Sequence, residues 1–337
     1  MRVLITTFLL LAGLFYGVSS AEEYEIIQLG KGANCKWSPD GQYLSFTSSG
    51  GLYVYVVDSG TVRQVTPAEN VYYMNKHNYY WDSQNTILFV QKVVHRDSTG
   101  VWQTVVIKRI TIDGGLEELH SEVSAKRTSR ADVGTKRTSL FNKLVQLSNG
   151  KVGICRQEVI DIASLRQMLG RSEIDTTAYY ATNYSYWITR YLGIEKDTDV
   201  WLVYSDGRPY KRVTTNKTYR LTQLSPDGAY IACWIGDTIL DLDGNIIGKI
   251  ESASMGSWFP DSRKLVFNKI VEAHDDIVAS DLYIVDMTGE HEVQITDTPD
   301  KIELFPVVSP DMTMIAYENY ASDANYIEIV DMKEALK

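Results

Sequence analysis

The stretch WSPDGQYLSF, beginning at Trp37, recurs as LSPDGAYIACW from Leu224, WFPDSRKLVF from Trp258 and VSPDMTMIAY from Val308. Pro39, Pro226, Pro260 and Pro310 stand where a turn needs φ near about −65°, and Asp or Gly follows to accept the remaining geometry. Two looser copies, WDSQNTILFV from Trp81 and LSNGKVGIC from Leu147, complete a set of six anchors. Each anchor precedes a turn, and each turn precedes a strand of alternating apolar residues, such as Tyr43–Phe46 or Tyr230–Cys233. Repetition of this kind constrains a fold more than any single motif does.

A second strand follows in most units and ends in an Asp/Gly turn: LYVYVVDSG (52–60), DVWLVYSDG (199–207), TILDLDG (238–244) and DLYIVDMTG (281–289). A short closing strand comes last, as in VRQVT (62–66), YKRVT (210–214) and EVQIT (292–296). One unit is therefore four antiparallel strands. A lone four-stranded sheet leaves both faces wet, whereas six packed radially bury them, so the expected fold is all-β, a six-bladed β-propeller. The sixth unit runs out after YIEIVDM (326–332), and the N-terminal YEIIQLG (24–30) aligns with the closing strands. Residues 24–29 are expected to pair into the last blade and close it.

These units resemble the WD-like repeats of the TolB-type six-bladed propeller family, over essentially all of 22–337. The resemblance implies the fold and says little about function. It lacks the separate N-terminal α/β domain of TolB, since only about a dozen residues precede the first blade, and a role in the envelope Tol system does not carry over. The same repeat builds the propellers of prolyl-oligopeptidase-type enzymes, yet the chain holds no G-x-S-x-G elbow.

Residues 1–21 differ in kind from the rest: Arg2, then the apolar run VLITTFLLLAGLFYGV, then Ser19, Ser20 and Ala21. That is the pattern of a secretory signal peptide, which predicts an exported, periplasmic or secreted product with no stable membrane anchor and a single domain over 22–337. The net charge of −10 disfavours nucleic acid as a partner. Three widely spaced cysteines, Cys35, Cys155 and Cys233, each lie in a strand-like segment and read as small buried side chains.

In a four-stranded meander the turns after the first and third strands share one end of the sheet. The sequence keeps these short and places its insertions at the other end: 67–78, 94–100, 120–138, 158–198, 270–280 and 319–325. Long connections on a rigid scaffold are where binding resides. Tyr72, Tyr73 and His77 fall in the first link. The 120–138 link carries Lys126, Arg127, Lys136 and Arg137 in two KRTS copies, suited to an anionic contact. The blade 3 insertion, 158–198, carries Tyr184, Tyr186 and Trp187, side chains suited to stacking on a glycan or anchoring a protein interface. His95, His120 and His274 map to the same end, but no metal-ligand spacing occurs, and neither a metal nor another cofactor is expected. DLDGN (241–245) reads as a hairpin turn rather than a calcium loop. The expectation is a monomeric, non-catalytic recognition module for a protein or cell-envelope glycan. The alternative is a propeller-type carbohydrate-active enzyme, a lyase or hydrolase acting at the channel mouth.

Overall fold

The computed structural model describes residues 24–66, 79–98, 100–123, 141–146, 152–156, 179–182, 199–204, 209–215, 219–274, 276–321 and 324–332. Strand β1 (Glu25–Lys31) opens the chain. The first unit is β2 (Ala33–Trp37), β3 (Tyr43–Ser48), β4 (Gly51–Val56) and β5 (Thr61–Gln64). The second is β6 (Tyr79–Trp81), β7 (Thr86–Asp97), β8 (Gly100–Thr111) and β9 (Leu116–Val123). Both are four-stranded antiparallel sheets in sequence order. The third region holds β10 (Phe141–Gln146), β11 (Val152–Arg156), β12 (Tyr179–Thr182), β13 (Trp201–Tyr204) and β14 (Pro209–Arg212). The fourth unit is β15 (Arg220–Leu224), β16 (Tyr230–Ile235), β17 (Thr238–Asp241) and β18 (Ile246–Lys249), again one antiparallel sheet. The fifth comprises β19 (Ala253–Trp258), β20 (Lys264–Ala273), β21 (Asp276–Asp286) and β22 (Val293–Gln294). The sixth comprises β23 (Ile302–Val308), β24 (Met314–Tyr320) and β25 (Asn325–Asp331). Among the described residues no helix is long and apolar enough to cross a membrane.

The expected N-terminal pairing is present. β1 lies antiparallel on β25, with Glu25 opposite Asp331 and Ile27 opposite Ile329, and a bulge falls between Gln28 and Gly30. The third region departs from the expected four-stranded unit. Among the described residues β10 pairs only with β11, and β12, from inside the 158–198 insertion, takes the edge of β13. Tyr179 and Tyr180 are thus ladder residues, opposite Tyr204 and Val203. The YYAT run is rich in strand formers, and its period-two pattern wins over its place in an insertion.

Among the described residues the interiors of the first, second, fourth, fifth and sixth units are apolar on both faces, and neighbouring units share these faces. Leu52, Val54 and Val65 of the first unit pack with Tyr79, Ile87 and Phe89 of the second. Leu202 and Val213 meet Ile231 and Cys233 of the fourth. Trp234 and Ile239 meet Leu265 and Phe267 of the fifth. Val266 and Leu282 meet Ile315 and Val330 of the sixth. Ala316 and Ile329 of the sixth meet Leu44 and Phe46 of the first.

The anchor tryptophans explain how the inner strands are held. Trp81 Nε1 donates to the carbonyl of Lys36 at 3.1 Å, and Trp258 Nε1 to that of Gln223 at 3.2 Å. Trp37 Nε1 donates to Val307 O at 3.1 Å, so the first unit repeats on the last what the second does on the first. In every case the acceptor is the residue before the preceding unit's own anchor.

The Ser-Pro-Asp-Gly turns repeat to within tenths of an ångström. Ser38 Oγ donates to Asp40 Oδ1 at 2.6 Å and accepts from Tyr43 N at 3.0 Å. Ser225 and Asp227, and Ser309 and Asp311, do the same, each hydroxyl lying 2.6 Å from its carboxylate. The closing threonines repeat too: Thr66, Thr214 and Thr296 Oγ1 accept the backbone N–H of Leu52, Val200 and Leu282 at 2.8–2.9 Å.

Deleting residues 22–30 exposes the β25 edge and uncovers the apolar face shared by Ile27 and Leu29 with Ile329 and Leu44. The expected outcome is a lower thermal midpoint and concentration-dependent association in light scattering; an unchanged midpoint with a monodisperse monomer rejects the closure. Trp258→Phe removes one donor from a buried contact and should cost about 1–2 kcal/mol in urea denaturation.

Candidate functional site at the long-connection end

Two hairpins stand out from this end of the sheets. β7 and β8 pair without interruption from Thr86–Thr111 to Asp97–Gly100. β20 and β21 pair from Lys264–Asp286 to Ala273–Asp276, with a bulge between Val271 and Glu272. The stretches 94–100 and 270–280, expected as loops, are therefore mostly strand. Their β-branched residues continue the ladder past the sheet body, and the connections shrink to two residues.

Exposed large apolar side chains gather here. Val271 is 54% exposed, and Ile277 and Val278 accompany it on the second hairpin. Val93 is exposed on the first hairpin, Leu221 and Ile235 at the top of the fourth unit, and Tyr320 at the top of the sixth. The other exposed large apolar residues, Ile26, Val62, Leu116, Ile246 and Val293, lie on the outermost strands. On the first hairpin His95 stacks on Trp102, with ring centroids 5.1 Å apart and planes 15° apart, and shares a 2.8 Å hydrogen bond with Thr104. His274 is exposed at the second tip with φ of 56°.

The inner strands are bent at the same end. Asn34, Leu221 and Phe305 each stand three residues before an anchor, and each has positive φ: 61°, 53° and 56°. A left-handed residue at one repeated position costs energy in every copy and re-aims the strand at the rim.

Beneath the rim lies a seam of buried polar groups between the fifth and sixth units. Glu303 and Glu328 are 0% and 2% exposed. Glu328 accepts from Tyr317 Oη at 2.8 Å, Lys301 Nζ at 3.0 Å and Asn319 Nδ2 at 2.9 Å. Burial alone would raise its pKa, but the donors from Asn319, Lys301 and Tyr317 hold it below the usual carboxylate value. Glu303 accepts from the hydroxyls of Thr296 and Thr298. Its pKa is pushed up to about 7, first by burial and further by the charge of Asp281, against those hydrogen bonds and Lys301. Asn268 Nδ2 donates to Ser280 Oγ at 3.1 Å, which donates to the Glu303 carbonyl at 2.7 Å. Glu318 faces the other way, accepting from Asn34 N of the first unit at 2.7 Å.

Sequence reasoning missed these glutamates. Their signal was a charge at a strand position flanked by apolar residues, in KIELF, AYEN and YIEIV. Conversely, Tyr72, Tyr73, His77, Lys126, Arg127, Lys136, Arg137, Tyr184, Tyr186 and Trp187 all lie outside the described residues.

Other expectations meet the structure directly. Cys35 and Cys233 are buried and free. Burial pushes the Cys233 thiol up to about 12 and raises Cys35 as well, there aided by the charge of Glu318. Asp241 is engaged by its own turn, accepting from Asp243 N, Asn245 N and Asn245 Nδ2 at 2.8–2.9 Å, as a hairpin requires. His291 sits at the opposite end, 2.7 Å from Asp286. Among the described residues no group of three or more His, Cys, Asp or Glu side chains is arranged to hold a metal ion.

No family model matches the chain, and no curated protein matches it. Among solved structures it is similar to an oligogalacturonate lyase from Vibrio parahaemolyticus, at 11% identity and TM-score 0.42, covering 90% of this chain and 78% of that one. It is similar to an Agrobacterium tumefaciens protein assigned as TolB, at 16% identity and TM-score 0.44, over 90% of both chains. It is also similar to a chain of the mitotic checkpoint complex, at 12% identity and TM-score 0.48, over 95% and 98%.

Lys301→Met leaves the Glu328 carboxylate buried without its cation. Because Lys301 is partly solvated, the expected loss in urea denaturation at neutral pH is about 2–4 kcal/mol, and adding Glu328→Gln should recover most of it. No recovery in the double variant would mean that Lys301 acts through its stem and not its charge.

Proposed function

We propose that the six units close into a propeller and that the chain is an exported recognition module, binding a protein or cell-envelope glycan at the long-connection end. Closure is supported by the shared apolar faces that run from the third region through the sixth unit to the first and second, and by the approach of β10 to β6 and β7. In such a ring the second and fifth units face each other across the axis, so the two raised hairpins flank the channel mouth.

The observation that carries the reading is the rim itself. Val93, Leu221, Ile235, Val271, Ile277, Val278 and Tyr320 are large, apolar and exposed, and they share one end of the sheets. Apolar groups gathered on one exposed surface mark an interaction site. The stacked His95–Trp102 pair adds a flat aromatic platform of the kind that suits a sugar face or a partner's side chain.

The test compares the mature chain with a Val271→Ser, Ile277→Thr, Val278→Thr variant on an envelope glycan array and in cross-linked envelope extract. Hairpin substitution should reduce specific capture at least about tenfold, the size of a small hot-spot loss. Equal capture by both proteins sinks the rim as the binding surface. New reducing ends in the glycan arm would replace the module with a carbohydrate-active enzyme.

A further inference from the structure

The root of the second hairpin is tied to the sixth unit at one place. Ser280 N donates to Lys301 O at 2.9 Å, and Ser280 pairs in parallel with Ile302. Asn268 and Ser280, one on each strand of the hairpin, form the hydrogen-bonded chain that ends on the Glu303 carbonyl. Whatever moves Glu303 therefore moves the point from which Val271, Ile277 and Val278 project.

Tyr317 commits its single hydrogen to Glu328 at 2.8 Å. Glu303 is fully buried, and the donors that reach its carboxyl group are the neutral hydroxyls of Thr296 and Thr298. The charged and titratable groups around Glu303 are Asp281 on β21, Lys301 in the preceding link, Tyr317 on β24 and Glu328 on β25. Lys301 is committed to Glu328. Loss of the Glu303 proton therefore places a second carboxylate in a buried seam beside Glu328 and Asp281, with no second cation among these groups.

We propose that Glu303, buried in the seam it shares with Glu328, is a one-proton switch that regulates the binding face by setting how firmly the β20–β21 hairpin is held. This rests on the reading of that face as the binding surface. With Glu303 protonated, the seam holds one carboxylate fewer, Glu328 keeps Lys301 and Tyr317, and the hairpin root is fixed. With Glu303 ionised, the seam loosens and the hairpin opens more often. The sign follows from linkage. Glu303 has its folded pKa raised to about 7, so its contribution is fully present below the ordinary glutamate value and is lost as pH rises through 7.

The experiment is hydrogen–deuterium exchange on the mature chain at pH 6 and pH 8.5, corrected for the intrinsic exchange rate. If the open root restores an ordinary glutamate pKa, opening at residues 269–280 should rise about tenfold between the two pH values. Glu303→Gln is neutral at every pH and should stay protected at both. Thr298→Val, a milder change, should keep the pH response with its midpoint shifted upward, because a hydrogen bond to the ionised form is removed. A change under twofold in the wild-type chain overturns the switch, and so does an undiminished pH response in Glu303→Gln. Exchange is read with no partner present, so a pH-dependent hairpin on a chain that captures nothing would sink the binding proposal alone.

Discussion

The first, second, fourth, fifth and sixth units are apolar on both faces among the described residues, and a sheet of that kind is stable only between two others. The second constraint sits at the inner edge. Among the described residues β2 and β15 have a strand neighbour on one side only, and β23 meets β21 only at Ile302, so carbonyls on these open sides would go unpaired. The anchor tryptophan of the next unit supplies a donor to that edge, at Lys36, Gln223 and Val307. The same side chain thus fills the apolar seam and satisfies a backbone acceptor. Leu224 and Val308 occupy the anchor position without an N–H, and at those seams the apolar contact stands without that bond.

Tight packing at the turn end explains why variation is confined to the other. Gly244 and Gly289 both have φ of +84°, and a Cβ on them would lie 2.1 Å from Val213 O and 2.0 Å from Lys249 O of the preceding unit. The Asp227 N–H is held by Ser262 of the next turn at 3.0 Å, and Gly41 of the first unit abuts Pro310 of the last. Turns that touch their neighbours in this way cannot lengthen without clashing. At the opposite end the β7–β8 and β20–β21 hairpins extend.

Repeat-level features were legible because they are local. The Ser-Pro-Asp-Gly turn carries its own hydrogen bonds within five residues, so its copies read alike in sequence and in structure. Even the pairing of β1 on β25 was legible, because residues 24–30 match the closing strands in residue type. The hairpin lengths were not. A continuing ladder and an insertion both appear as extra residues between two strands, and only the register from Lys264–Asp286 to Ala273–Asp276 separates them. Nor was β12, whose strand character depends on a partner, β13, some twenty residues on. The polar seam escaped for a related reason. Glu303, Tyr317 and Glu328 come from three strands, and no spacing in the chain announces that they meet.

The placement of these carboxylates bears on how the sixth unit selects β1 as its edge strand. A strand that arrives from the far end of the chain must find one register among several, and a one-residue slip would turn its side chains to the wrong face. Apolar contacts alone discriminate weakly, because Ile26, Ile27 and Leu29 are similar in size and character. The buried glutamates discriminate strongly. Glu318 is satisfied by the backbone N–H of Asn34 only when β2 sits at its observed height against β24. Gln28 stands opposite Glu328 in the β1–β25 ladder, its amide 3.5 Å from the carboxylate. In a slipped register Glu318 would lose the Asn34 N–H, a hydrogen bond to a charged group worth about 1.5–3 kcal/mol, while Glu328 would keep Tyr317, Lys301 and Asn319 and lose the longer Gln28 contact. Among the described residues the sixth unit is completed by a distant segment, and it holds all three of the buried glutamates. The polar seam thus lies where the chain needs a test of correct pairing that hydrophobic burial cannot provide, and the proton on Glu303 adds a reading of pH to the same seam.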